Sequence, residues 1–176
     1  MKSFALLAIG LCLSGPALGA ADNQPIAPPF GLSWVETRSR IAQLIDEAHV
    51  RLSQKETVAG RETWTVEGFD LPGLSAVLFF FAGDTLEEME LQYRDPKWSL
   101  QQFGELMQQV KQQLDLKYGR GEVLARSREP EKDISQTVVG YRWQQPGQAL
   151  DLVFYSAERE PLAFRLLSMH YKVLRH

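Results

Sequence analysis

The chain has 176 residues, 44% of them apolar, with 19 basic and 22 acidic side chains and a single cysteine, Cys12. A net charge of −3 argues against nucleic acid or an anionic membrane as a partner, since either would call for a basic surface. One cysteine permits no intrachain disulfide, so an apolar core must hold the fold unaided, as a chain of single-domain size can do.

Residues 1–20 read as a secretory signal peptide. Lys2 supplies a short basic start, Phe4 to Leu13 an apolar run of about ten residues, and Ser14-Gly15-Pro16 a helix-breaking stretch that ends in small residues. Such a run does not cross a ~30 Å hydrocarbon core, which needs about 20 residues. Cleavage is expected near Gly19 to Ala21, with the mature chain in the periplasm. Cys12 follows Leu11, where lipid attachment requires a small residue, so it counts as an ordinary member of the apolar run. Without Lys2 the mature chain carries 18 basic against 22 acidic groups, a net of −4. No later apolar stretch approaches membrane-spanning length.

Residues 21–29 (A-D-N-Q-P-I-A-P-P) read as an extended linker, because their prolines deny them a regular ladder. A single folded domain is expected over 30–176. Its first helix follows Phe30-Gly31-Leu32-Ser33-Trp34. Ser33 and Glu36 have capping-box spacing, Thr37 is a second cap, and Ile41, Leu44, Ile45 and Ala48 form one apolar stripe.

Thr63 to Glu67 alternates as a strand with Trp64 and Val66 on one face. Leu74 to Phe81 is a continuous apolar run, Ala82 to Thr85 a turn, and Met89, Leu91 and Tyr93 alternate with Glu88, Glu90 and Gln92. A second helix starts at Asp95-Pro96 or at Ser99 with Gln102. Its stripe is Leu100, Phe103, Met107, Val110 and Leu114, and Gly119 stops it.

Arg126 to Ser135 reads as a charged loop. Val138 to Trp143, Ala149 to Tyr155 and Leu162 to Val173 read as strands, with Gln145-Pro146-Gly147 as the hairpin turn between the first two. The apolar parity of the last strand changes near Leu167-Ser168, which suggests a bulge. The halves 30–94 and 95–176 each run helix, then antiparallel strands. A diverged duplication and chance alternation both account for that. The expected fold class is α+β, with helices packed on one face of an antiparallel sheet, arranged as one body or as two tandem helix-plus-sheet units.

No catalytic constellation emerges. His49, His170 and His176 lack metal-site spacing, and His170 falls on a polar strand face with Lys172. Gly73-Leu74-Ser75-Ala76-Val77 lacks the closing glycine of a nucleophile elbow, and Gly119-Arg120-Gly121 closes a helix instead of opening one. Glu87, Glu88 and Glu90 alternate with apolar residues as a solvated strand face does. No enzyme activity, metal or cofactor is therefore expected.

The feature that asks for a function is apolar. Phe79-Phe80-Phe81 places large side chains on both faces of one strand, and Ala149 to Tyr155 nearly does the same. Such strands need a cover on their second face, from the Pro-rich arm, from a curled sheet or from a partner. The partner alternative puts an interface at Phe79, Phe81 and Tyr155, rimmed by Glu88, Glu90 and Arg142. A carrier of a small apolar ligand, lined by Trp64, Phe103, Met107 and Trp143, is the second alternative. An enzyme of unrecognised type is the third.

The opening Phe30-Gly31-Leu32-Ser33-Trp34 with its capped helix resembles that of small periplasmic proteins of the BamE-type outer-membrane assembly and β-lactamase-inhibitor-protein families. It departs from their pattern at Val35, where glycine is usual, and at Arg40, where an acid is usual. The resemblance implies an exported α+β domain that binds another envelope or secreted protein, as an inhibitor, an immunity protein or an assembly accessory.

Overall fold

The computed structural model describes residues 25–58, 60–131 and 133–174. The expected signal peptide, its cleavage site and Cys12 lie outside the described residues. In chain order the elements are α1 (Arg38–Glu47), β1 (Arg51–Val58), β2 (Arg61–Glu67), β3 (Leu74–Ala82), β4 (Thr85–Tyr93), α2 (Leu100–Tyr118), β5 (Glu122–Glu131), β6 (Ile134–Gln145), β7 (Gln148–Arg159) and β8 (Leu162–Val173).

Both helices start at side-chain caps. Thr37 accepts from the Arg40 amide at 3.3 Å, so it caps α1, while Ser33 Oγ donates to Glu36 at 3.0 Å just upstream. Ser99 and Gln102 form the capping box of α2, and Gly119 closes that helix with φ of 83°. The Asp95-Pro96 start is not used. Ile41 and Ile45 of α1, and Phe103, Met107 and Leu114 of α2, are the buried positions of their stripes.

The strands form one antiparallel sheet of eight, in the order β1-β2-β3-β4-β8-β7-β6-β5. The expected α+β arrangement of tandem helix-plus-sheet units is corrected here: the fold is mostly one sheet, with two helices against it. Strands hold 53% and helices 20% of the described residues, and a single sheet runs through both halves of the chain. The halves join where β4 pairs with β8, from Glu88↔Lys172 to Tyr93↔Leu167, so they share one hydrophobic core.

Two strands escaped the sequence because they are edges. β1 carries Arg51, Gln54, Lys55 and Glu56, and β5 carries Arg126, Arg128 and Glu129. Their polarity hides apolar alternation, and it is also what keeps an edge from pairing with another chain. The expected loop at Arg126 to Ser135 is thus the β5–β6 hairpin. The expected bulge in β8 is absent. Its pairing with β7 runs without a shift from Leu162 to Val173, and its apolar residues change faces along an unbroken strand.

The core lies between the helices and one sheet face. It contains Trp64 and Val66 of β2, Val77, Phe79 and Phe81 of β3, Leu86, Met89 and Leu91 of β4, Leu150, Leu152 and Phe154 of β7, and Leu167, Met169 and Tyr171 of β8. Ile26, within the stretch read as a linker, is fully buried in this same core, and its carbonyl accepts from Trp34 Nε1 at 3.0 Å. Two tryptophans fix loops against the core. Trp98 covers Gly73, and Trp143 covers Gly121 while donating from Nε1 to the Gly119 carbonyl at 2.9 Å.

Candidate functional site on the second sheet face

Alternation sends every second strand residue to the face away from the helices. The strand registers assemble that face in rows. One row runs Thr65, Leu78, Glu90, His170, Asp151, Arg142 and Glu122 across seven strands. The next includes Thr63, Phe80, Glu88, Lys172 and Ala149. Further along β6–β8 the same face carries Val138, Tyr155 and Leu166 in one row, with Phe164 beyond.

This places the six candidate interface residues. Phe79 and Phe81 are corrected: they are 5% and 0% exposed, they point at the helices, and Phe81 packs against Trp64 with ring centroids 5.0 Å apart. Only Phe80 of the triplet reaches the second face. Glu88, Glu90, Arg142 and Tyr155 do share that face, although they come from three separate strands.

The face is more structured than a solvated one. Asp151, only 5% exposed, accepts from Arg142 Nε at 2.6 Å, from Arg142 Nη2 at 2.8 Å and from Lys172 Nζ at 2.6 Å. Burial pushes the Asp151 carboxyl up, but the hydrogen bonds and charges of Arg142 and Lys172 outweigh it and hold the group below the usual carboxylate range.

Glu88 sits between two bases. Arg61 Nη2 is 2.5 Å from one carboxylate oxygen and His170 Nε2 is 2.6 Å from the other. Neither contact is aligned as a directed hydrogen bond, since both nitrogens lack a well-angled acceptor. For Glu88 too, burial raises the carboxyl while His170 and Arg61 lower it, and the net direction is down. Phe80 lies beneath this group, 4.9 Å from the Arg61 guanidinium and 5.8 Å from the His170 ring.

Glu90 is different. Its contact is Gln92 Nε2 at 3.2 Å, and among the described residues no cation lies within ion-pair distance of it. Further along the face, two or more rows from Glu90, Tyr155 and Phe164 pack at 5.9 Å, each half-buried. Asp151, Lys172 and Arg61 were not singled out from the sequence. The signal for Asp151 was present, because a two-residue turn at Pro146-Gly147 brings Arg142 opposite it.

The carrier alternative loses its lining. Trp64, Phe103, Met107 and Trp143 are all buried at 8% exposure or less. Trp64 and Trp143 stand five strand spacings apart, roughly 24 Å, so they do not line one pocket. An open cleft of about 360 Å³ does lie at the α1 end, lined by Arg38, Ser39, Ala42, Lys55, Glu62, Trp64 and Asp84. Its charges neutralise one another: Arg38 bridges Glu62 at 2.5 Å and Asp84 at 2.9 Å.

Among the described residues no group of three or more His, Cys, Asp or Glu is placed to hold a metal ion, and no helix is long and apolar enough to cross a membrane. No protein-family model, curated protein or solved structure matches the chain.

Proposed function

We propose that the chain is an exported, non-catalytic protein-binding domain of the bacterial periplasm, of the inhibitor, immunity or envelope-assembly accessory type. It docks another envelope or secreted protein on the sheet face away from the helices. The observation that carries this is the contrast within that face. Asp151 and Glu88 have their cations, whereas Glu90 has none among the described residues, and further along the same face Tyr155 and Phe164 pack as a half-buried aromatic pair. A carboxylate without a cation and an aromatic pair on one face suit a partner that presents a basic side chain and, separately, an apolar one. The signal-peptide pattern of residues 1–20 and the resemblance carried by Phe30 to Trp34 support the periplasmic part.

The test is capture from an envelope extract with the wild-type domain, with Glu90→Lys and with Tyr155→Ala. A single stoichiometric protein held by the wild type and lost by both variants is expected. Equal recovery by all three would refute this face as the docking surface.

A further inference from the structure

The sheet has a third edge, inside it. β8 pairs with β7 along its whole length, from Arg159↔Leu162 to Gln148↔Val173. On its other side it pairs with β4 only from Leu167 to Lys172. β4 ends at Tyr93, where the chain turns away and the Arg94 amide donates to the Gly73 carbonyl. Residues 162–166 therefore form a strand with one unpaired side, roughly 17 Å long at the usual strand rise. Among the described residues no backbone hydrogen bond from the 94–99 segment reaches it.

This edge is built unlike the two outer ones. β1 and β5 are blunted by charge, as exposed edges are when pairing is to be avoided. The inner edge has Leu162, Phe164 and Leu166 on the second face, and Leu162 is 73% exposed. Its one charged side chain, Arg165, is turned to the helix side, where Nε holds Glu158 at 2.9 Å and Nη1 reaches the Trp98 carbonyl at 3.3 Å. At the closed end of the notch the Arg94 guanidinium lies 4.7 Å over the Phe164 ring. Arg94 is exposed and has no ion pair among the described residues.

We propose that residues 162–166 accept an extended segment of the partner protein as an added strand, in the line that β4 vacates after Tyr93. Unpaired main-chain groups along one side of a strand are satisfied by another extended backbone, which defines the occupant's conformation. The apolar alternation of Leu162, Phe164 and Leu166 calls for apolar side chains on the same face of the added strand. The cation at the closed end calls for a carboxylate there. The occupant is thus an apolar β-segment with an acidic residue at its Arg94 end. This rests on the protein-binding function above and names the mode of docking.

The probes are a capped peptide, Glu-Thr-Val-Thr-Val-Thr, which puts Glu and both valines on one face, its counterpart with Lys in place of Glu, and a version of the first with proline at the centre. Hydrogen exchange is followed in the mature domain. Without peptide, the open-side amides of residues 162–166 should exchange much faster than those of Met169 and Tyr171, which are paired on both sides. At millimolar concentration the acidic peptide should slow them, and the proline version should not. The acidic peptide should bind roughly tenfold more tightly than the Lys peptide, and Arg94→Glu should reverse that order.

Segment amides already as slow as those of Met169 would overturn the proposal, as would equal effects of all three peptides. So would a concentration-dependent dimer that protects the segment without peptide, since the occupant would then be a second copy. An envelope partner lost by Glu90→Lys but held undiminished by Phe164→Lys would overturn the added strand while leaving the docking face intact.

Discussion

Replacing Asp151 with asparagine tests whether the second face depends on its charges. The carboxylate is 5% exposed and takes three charge-assisted hydrogen bonds, two from Arg142 and one from Lys172. Such bonds contribute about 1.5–3 kcal/mol each when buried. Here the Arg142 and Lys172 side chains keep 32% and 19% of their exposure, so water takes up part of what is lost. Asparagine also keeps one acceptor. The net loss should be about 2 kcal/mol, below the 3–5 kcal/mol of a fully buried pair broken on one side. For a domain of this size that lowers Tm by roughly 4–8 °C.

The assay is urea unfolding of wild type and Asp151→Asn from neutral to acid pH. The folded Asp151 carboxyl titrates below its unfolded value. Its contribution is therefore complete above the unfolded pKa of about 3.9 and is lost as pH falls through the lower, folded one. The gap between the two proteins should be full at neutral pH and should close in acid. Replacing all three groups together, as Asp151→Leu with Arg142→Met and Lys172→Leu, should recover much of the loss, because no charge is left without a partner. A neutral-pH gap below about 0.5 kcal/mol, or one that persists unchanged in acid, would refute the reasoning.

Two further predictions concern packing. In Gly121→Ala the new Cβ would lie 2.6 Å from Trp143 Cε2, which is too close for an unshifted ring. Moving Trp143 breaks its bonds to Gly119 and Asp115, so a loss of about 1–3 kcal/mol with a change in tryptophan emission is expected in chemical denaturation. Phe81→Ala empties a fully buried site beside Trp64 and should cost about 3–5 kcal/mol, whereas Leu162→Ala, at 73% exposure, should stay within about 0.5 kcal/mol. Comparable losses at both positions in thermal melts would show that the faces are wrongly assigned.

Much of the candidate face was legible because strand alternation is local. Glu88 and Glu90 fall opposite Met89 and Leu91 by period alone, and Arg142 and Tyr155 follow from the strands that flank the Pro146-Gly147 turn. The error at Phe79 and Phe81 has a specific origin. A run of three phenylalanines has a side chain on each face but carries no mark of which face the helices cover. Here the odd positions face inward and Phe80 alone faces out. Nor did local pattern mark Glu88 as paired, since its neighbours Arg61 and His170 arrive from β2 and β8.

Local pattern alone was enough for the two helices, for the turns at Gly83 and Gly147, and for the six strands whose apolar residues alternate or run together, while it left the caps open between Ser33 and Thr37 and between Asp95 and Ser99. These follow from backbone sterics, capping and side-chain period, all of which act within a few residues. Long-range pairing was needed to show that polar β1 and β5 are strands, that β4 meets β8 to make one sheet, and that β8 outruns β4 by five residues. Edge strands are held by backbone hydrogen bonds to a neighbour more than by their own side chains. The β4–β8 pairing joins segments distant in the chain, so it depends on which apolar faces complete a common core.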